Sequence, residues 1–414
     1  MIEPPALQKK GLYKYLPALA HRNFRLFWAG HLVSLTGTWM QSMAQSWLVL
    51  ELTGSPFLLG LVGAVQFGPF LLFSLVAGVL ADRLPRRKLL MMTQTTLMLL
   101  ALGLGTDVWL GHVRYWHVLI FAGLAGIANS IDMPGRQSFY FQMVGREDLM
   151  NAIALNSSVF NAARIMGPAA AGLIISYFGI AACFFFNALS FLAVLAGLFL
   201  MRMNDAPSAG KSSRDILDNI REGLRYTRNT PAVLAPILLM GALSVFAMNF
   251  QVLIPAFARI VLEQDARGYG FLMSAHGLGA LVGALTLATL SHRGFKRGFL
   301  LGGAAGLCLF QLLLAPVREY SLAFVMLILT GWSVSTFSAS VSTAIQMAVE
   351  DEFRGRVSSV YSLVFIGFTP IGSLISGTLA RHFGVPAAMA LGAATGMIFL
   401  MFLGRRIPNV KSAR

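Results

Sequence analysis

Four ionisable side chains lie inside stretches of the chain that are otherwise almost wholly apolar: His31, Asp132, Arg136 and Arg164. Removing a charge from water is costly, so an ionisable group in such a stretch is by default a candidate for function. Asp132 and Arg136 are four residues apart, about one helical turn, and can form an ion pair. We expect this pair to act as a gate, or the carboxyl of Asp132 to carry a transferred proton. The imidazole of His31 titrates near neutral pH and is a third candidate for coupling or gating.

Arg164 is about 14 residues into its apolar stretch, or roughly 21 Å along a helix, and no acidic residue is evident at that depth. Asp132 is not expected to reach it, because folding the two segments back about residue 143 leaves them about 10 residues out of register. Two interpretations stand. The guanidinium hydrogen-bonds backbone carbonyls and Asn161, or it offers a positive charge to an anionic cargo inside a cavity.

One early segment carries a stripe of polar side chains whose positions advance by three or four residues: His31, Ser34, Thr38, Gln41 and Gln45. This spacing places them on one face of a helix. In lipid, such a face must turn toward protein or water. We expect it to line a central cavity; the alternative is that it only hydrogen-bonds other helices.

The second half of the chain offers fewer polar candidates. Asn249 and His276 could line the opposite wall of the cavity, although a lone buried histidine is more often structural. Cys183 and Cys308 lie in apolar runs and belong to no metal-ligand cluster. The sequence contains no phosphate-binding loop and no common hydrolase or metalloprotease motif. We therefore expect no enzymatic activity, metal or cofactor, and an ion gradient as the energy source.

The elements that hold these side chains must be membrane helices. The chain has 414 residues, of which 56% are hydrophobic and 12% are charged, against about 25% charged in soluble domains. Its mean hydropathy is +0.69. So little polar surface excludes an ordinary soluble protein, and the high hydrophobicity excludes a disordered chain. We attribute the net charge of +15 to cytoplasmic loops rather than to nucleic-acid binding.

Twelve stretches of about 20 or more mostly apolar residues predict twelve membrane-spanning helices. They cover residues 24–50, 56–81, 87–108, 113–137, 150–175, 180–201, 232–262, 269–290, 298–316, 320–347, 357–380 and 384–404. An even number of spans puts both termini on one side. On that assignment, 26 of the 32 Lys and Arg residues fall on the side of the termini, which indicates cytoplasmic termini. The sequence therefore predicts an all-α, multi-pass protein of the cell inner membrane.

The longest polar segment divides the chain into two halves of six spans each. The predicted units are a cytoplasmic segment 1–22, a first half 23–201, a linker 202–230, a second half 231–404 and a cytoplasmic tail 405–414. The linker contains an amphipathic helix, capped by Ser212, that we expect to lie on the membrane surface. A Gln-Met pair recurs at Gln142 and Gln346, near the ends of spans four and ten, as two parallel repeats would require.

The loop after span two reads GVLADRLPRRKLL and contains Gly78, Asp82, Arg83, Arg86 and Arg87. Its acid followed by basic residues resembles the loop signature of the major facilitator superfamily, with Pro85 in place of the second glycine. In that superfamily the loop latches the two halves together in the outward-open state, and the resemblance implies the same role here. The alternative is a basic loop that only retains this segment in the cytoplasm.

In span five, the segment ARIMGPAAAG resembles the antiporter signature of drug exporters. Gly167, Pro168 and Gly172 match that signature, whereas Ala163 and Ala171 replace two of its glycines. Small residues let helices approach closely, and a proline bends a helix. The resemblance implies a sealed interface between the halves and an export function; the alternative is generic helix packing.

Longer segments, such as NFRLFWAGHLVSLTGTWMQ and RGRVSSVYSLVFIGFTPIGSL, resemble the transmembrane secretion effector branch of that superfamily, which includes enterobactin exporters and macrolide-efflux proteins. The resemblance implies a monomeric, proton-coupled antiporter that exports an amphiphilic small molecule, drug-like or siderophore-like. A lipid or lysophospholipid flippase and a small-molecule importer are alternatives with the same fold. A membrane receptor or scaffold without transport is the alternative from another class.

Overall fold

The computed structural model describes residues 15–202, 213–290 and 297–407, and at residues 74–83, 138, 213–217 and 219–220 it describes the backbone alone. The described residues form α-helices joined by short loops, with a 3₁₀ turn at Pro17–Ala20 and no β-strand among them. This confirms the predicted all-α architecture.

Long helices form the first half of the chain: α1 (Arg22–Thr53), α2 (Pro56–Arg83), α3 (Arg86–Trp109), α4 (Tyr115–Val144), α5 (Leu149–Phe178) and α6 (Ile180–Leu200). The linker carries α7 (Ser213–Asn229). The second half contains α8 (Pro231–Phe246), α9 (Phe250–Ala256), α10 (Ala266–Leu290), α11 (Arg297–Leu314), α12 (Tyr320–Ala348), α13 (Arg354–Gly367), α14 (Thr369–Phe383) and α15 (Val385–Gly404).

Among the described residues, 11 segments are long and apolar enough to cross a membrane. Two of these segments combine adjacent helices: Pro231–Val261 contains α8, α9 and a π-helical turn, and Arg354–Phe383 contains α13 and α14. Helix α1 is long enough, with 32 residues, but its polar stripe leaves it outside the 11. With α1 counted, each of the twelve predicted spans corresponds to a helical segment.

The predicted end of span four was wrong. The prediction stopped at residue 137, where polar residues begin, but α4 continues to Val144. Gly145 then adopts a φ of 72°, which glycine takes without strain and which ends the helix. Asp132 consequently lies 12 residues before the end of α4, or about 18 Å, and Arg136 lies within the helix rather than at the edge of a loop.

Side-chain bonds show which helix ends lie together. Arg22 Nη1 donates to Leu200 O at 3.1 Å and joins the start of α1 to the end of α6. Arg297 Nη2 donates to Gly404 O at 2.6 Å and joins the start of α11 to the end of α15. We call the side that carries the start of α1 and the end of α15 the terminus side, and the opposite side the far side.

The two halves touch on the far side and at mid-depth. Between α5 and α10, a Cβ at Gly270 would lie 2.5 Å from Pro168 O. Between α2 and α14, a Cβ at Gly377 would lie 2.8 Å from Pro56 O. Because the backbones are already in contact, these positions have no room for a side chain. The far side is therefore closed by helix packing.

The linker helix α7 is held by contacts with the second half. Tyr226 stacks on Phe353, with ring centroids 4.5 Å apart. Glu222 Oε2 lies 3.2 Å from Arg356 Nε. The surface helix predicted from the sequence is thus docked on the start of α13 and on Phe353 just before it. Its predicted cap, Ser212, lies outside the described residues.

Candidate transport site

A buried polar network surrounds Asp132 in the first half. Asp132 is buried, with 3% of the residue exposed. Its Oδ1 accepts hydrogen bonds from Thr93 Oγ1 at 2.6 Å and Gln94 Nε2 at 2.8 Å. Its Oδ2 pairs with Arg136, whose Nε lies 3.0 Å away and whose Nη2 also donates to it. The carboxylate is therefore fully hydrogen-bonded and its charge is neutralised.

Arg136 extends the network to α1. Its Nη1 lies 3.1 Å from His31 Nε2 and close to Nδ1 of the same ring. His31 in turn stacks on Phe27, with ring centroids 5.5 Å apart. The three residues predicted for coupling or gating thus form one chain of contacts between α1 and α4. Thr93 and Gln94 extend it to α3.

The polar stripe of α1 mostly binds neighbouring helices. Gln41 Oε1 accepts a 2.6 Å hydrogen bond from Asn187 of α6, and Gln45 Nε2 donates at 3.0 Å to Gln66 of α2. Ser34 is buried, whereas Thr38 is exposed and donates to Ser34 O at 2.9 Å. His31, Gln41 and Gln45 therefore contact other helices, as the alternative interpretation of the stripe expects. Thr38 is left as the candidate for contact with a cavity.

Arg164 lies in the middle of α5, 15 residues after its start. Its Nη2 donates to Asn161 Oδ1 at 3.2 Å, and its Cζ lies 5.8 Å from the ring centroid of Phe160. Its Nε is buried without a hydrogen-bond partner. Within the described part of the chain, no carboxylate forms an ion pair with this guanidinium.

His276 of α10 faces Arg164 across the interface between the halves. A Cβ at the next residue, Gly277, would lie 2.9 Å from Arg164 O. The His276 ring lies 4.3 Å from the Phe250 ring, and its Nδ1 is buried without a partner. Asn249 is placed differently. It lies in the break between α8 and α9, and its Nδ2 donates to Val245 O at 2.7 Å.

The antiporter-like segment packs α5 between two helices. A Cβ at Gly167 would lie 2.6 Å from Trp39 Cβ of α1. A Cβ at Gly172 would lie 3.0 Å from Ala266 O, at the start of α10. Pro168 O faces Gly270 of α10, whose Cβ would lie 2.5 Å away. Gly167 thus packs α5 against α1 within the first half, whereas Pro168 and Gly172 pack it against the second half.

The loop signature is only partly described. At Gly78, Asp82 and Arg83 the structure describes the backbone alone. Arg87 Nε donates to Leu198 O at 2.7 Å and its Nη2 donates to Phe199 O at 2.9 Å, which ties the start of α3 to the end of α6. Arg86 begins α3.

Sequence reasoning missed the partners of the predicted residues. Thr93 and Gln94, which hold Asp132, lie in a polar interruption of span three, MMTQTTLMLL, that could have drawn attention to them. Asn187 and Gln66 are single polar residues in apolar runs and gave weaker signals. No group of three His, Cys, Asp or Glu residues that could hold a metal ion occurs in the ranges that the structure describes.

The fold and the buried network define a class of protein. Two halves of six spans, in contact on one side and carrying ionised groups at mid-depth, form the architecture of a major facilitator transporter. The solved structure of the nucleoside transporter NupG has the same fold, with a TM-score of 0.76 at 14% sequence identity over 94% of this chain and 100% of that chain.

The chain belongs to the transmembrane secretion effector family, whose sequence model matches residues 14–413. The enterobactin exporter EntS of Shigella boydii serotype 4 is 25% identical over 380 residues, which cover 92% of this chain and 90% of that protein. The multidrug efflux pump Tap of Mycolicibacterium fortuitum is 24% identical over 387 residues, which cover 91% and 93%. The chain is therefore a multi-pass membrane transporter and not an enzyme. Membership of this family confirms the predicted transporter class and the prediction that the protein is not an enzyme.

Proposed function

We propose that the protein is a proton-coupled antiporter that exports an amphiphilic small molecule across the cell inner membrane, with both termini in the cytoplasm. The observation that carries the proposal is the buried network of His31, Asp132 and Arg136. The names of two relatives, an enterobactin exporter and a multidrug efflux pump, support export of a small molecule. The excess of Lys and Arg on the terminus side supports the orientation.

The network can couple a proton to a change of conformation. An ionised carboxylate only accepts hydrogen bonds, whereas a protonated one must also donate. Both oxygens of Asp132 already face donors, from Thr93, Gln94 and Arg136. Protonation of Asp132 therefore removes the charge that Arg136 pairs with and forces at least one donor to move. Because the network joins α1, α3 and α4, the rearrangement reaches three helices.

The packing of the halves supports loading of cargo from the cytoplasm. The described contacts between α5 and α10 run from the far side to Arg164 at mid-depth. With cytoplasmic termini, closure of the far side corresponds to an inward-facing state, in which a cavity between the halves is open to the cytoplasm. Proton uptake from the opposite side then accompanies release of the cargo outward.

Proton movement in everted vesicles tests the proposal. An acid-inside gradient is imposed, and a pH-reporting dye follows proton release as each compound is added. The panel contains lipophilic cations, macrolides, catecholate siderophores and lysolipids. We expect one class to release protons with the wild type and not with Asp132→Asn. Asp107→Asn is the matched control, because Asp107 pairs with His117 at 2.5 Å outside the network, and it should behave as the wild type.

Two results would contradict the proposal. If Asp132→Asn and Asp107→Asn release protons equally, the network does not carry the coupling. If no compound moves protons although the protein is folded and inserted, proton antiport is excluded, and flux of labelled lysolipid or of imported solute then tests the flippase and importer alternatives. Binding of ligands without any flux would indicate a receptor.

A further inference from the structure

We infer that the cargo carries an oxyanion, such as a carboxylate, that pairs with Arg164. The inference rests on the proposed export function and adds the chemical class of the cargo to it. It starts from position: Arg164 lies at mid-depth, where α5 and α10 meet. Ser274 Oγ donates to the neighbouring Ile165 O at 2.7 Å, so the backbone that carries Arg164 is fixed to the opposite half.

No carboxylate among the described residues compensates the charge of Arg164. A guanidinium has five N–H donors, and a single side-chain acceptor, Asn161 Oδ1 at 3.2 Å, is recorded for this one. The buried Nε has no acceptor. The described residues supply no carboxylate within ion-pair distance, whereas Arg136 has Asp132.

An uncompensated guanidinium at this depth is energetically unfavourable. Transfer of a charged group out of water is costly unless it is paired and hydrogen-bonded. Arginine stays protonated in proteins, so loss of the cation does not relieve that cost. The side chain is partly exposed, so a ligand can reach it. An anionic group on the cargo would supply the missing acceptors and the missing charge.

The aromatic side chains around Arg164 indicate the chemistry of the rest of the cargo. Phe160 is 43% exposed, and its ring lies 5.6 Å from the ring of Trp39 in an edge-to-face arrangement. A flat apolar body would stack on this aromatic surface while its oxyanion binds the guanidinium. The cargo class is therefore an amphiphilic anion. A free organic acid and the phosphate of a lysolipid share this chemistry.

Binding of matched probes to the purified full-length protein tests the inference. The probes are 2-naphthoxyacetate, its uncharged methyl ester and oleoyl lysophosphatidic acid, measured by calorimetry. We expect the wild type to bind the carboxylate more tightly than the ester. In Arg164→Gln, the loss of a charge-assisted bond should weaken carboxylate binding about 10- to 100-fold and leave ester binding within about twofold. Arg164→Lys keeps the charge and should retain part of the preference.

Arg318→Gln is the matched control. Arg318 is exposed, and its Nη1 donates to Val317 O next to it at 3.1 Å, so its replacement should not change binding of any probe. Preference for lysophosphatidic acid over the carboxylate, lost in Arg164→Gln, would identify a lipid phosphate as the source of the anion. Equal binding of acid and ester by the wild type, or no binding of either anion, would overturn the inference.

The two proposals fail in different ways. Proton release that is driven by neutral or cationic compounds and unchanged in Arg164→Gln would leave export intact and reject an anionic cargo. Binding of anions that depends on Arg164, without proton movement in vesicles, would leave the anion site intact and reject proton-coupled export.

Discussion

Asp132 and Arg136 form a buried ion pair on successive turns of α4. Their spacing of four residues predicted the pair, because residues one turn apart on a helix are neighbours. The partners on α3, Thr93 and Gln94, could not be predicted, since contacts between helices depend on how the helices rotate against each other. For the same reason, the sequence left open whether the stripe of α1 faces a cavity or other helices.

Removal of one member of this pair should destabilise the protein more than removal of both. Arg136→Gln leaves a buried carboxylate without its counter-charge, which costs about 3–5 kcal/mol of unfolding free energy. The double variant Asp132→Asn with Arg136→Gln leaves no unpaired charge and should lose clearly less. Thermal and chemical unfolding in detergent measure both variants.

The exposed pair Arg354 and Asp351, 2.8 Å apart, gives the control. Arg354→Gln should cost about 0–1 kcal/mol, because water already compensates both charges. A double variant at Asp132 and Arg136 that is as unstable as the sum of the two single variants would contradict the account of the pair.

At the scale of elements, apolar runs predicted the number and order of the helices but not all of their ends. Span four was predicted to end at residue 137, where polar residues begin, yet α4 continues to Val144. Polar residues that find partners inside the protein do not end a helix. The predicted register was also wrong, because folding about residue 143 left out the loop 145–148. Asp132 is 12 residues from the end of α4 and Arg164 is 15 residues from the start of α5, so their depths are similar. The carboxylate of Asp132 nevertheless pairs with Arg136 on its own helix.

Closure of the far side depends on the contact between α5 and α10 at Gly270. Gly270→Leu would place a side chain 2.5 Å from Pro168 O, so the two helices must separate. We expect this variant to shift the population toward a state that is open on the far side. Distances between spin labels on α5 and α10 at that side should increase by several ångströms.

A glycine without close neighbours is the control for this prediction. Gly298 of α11 has open space where its Cβ would lie, and Gly298→Leu should leave the distances unchanged. Unchanged distances in Gly270→Leu as well would show that the interface absorbs the side chain and that its packing does not set the conformation.

The linker helix α7 should loosen when its aromatic contact is removed. Tyr226→Ala removes the stack on Phe353, which contributes about 0.5–1.5 kcal/mol beyond the buried area. Hydrogen exchange of the amides of α7 should accelerate. Arg225→Ala, at an exposed neighbouring position, should leave exchange unchanged. Equal exchange in both variants would mean that other contacts hold the helix.

At the scale of the whole molecule, the sequence predicted the two halves, the twelve spans and the transporter class. Composition and periodicity indicate whether a segment faces lipid, water or protein. The lipid bilayer strongly restricts the folds that can span it. They do not report which side of the interface is closed. That closure depends on contacts such as Gly377 with Pro56 O and Gly270 with Pro168 O, which join residues far apart in the chain.

Cargo movement driven by a proton gradient alone tests the central claim most directly. The purified protein is reconstituted into liposomes, an acid-inside gradient is imposed as the sole energy source, and uptake of a labelled compound identified in the vesicle screen is followed. The account predicts accumulation inside the liposomes above the outside concentration with the wild type, and only slow equilibration with Asp132→Asn. Equilibration without accumulation by the wild type, or accumulation driven by a sodium gradient instead, would contradict proton-coupled antiport.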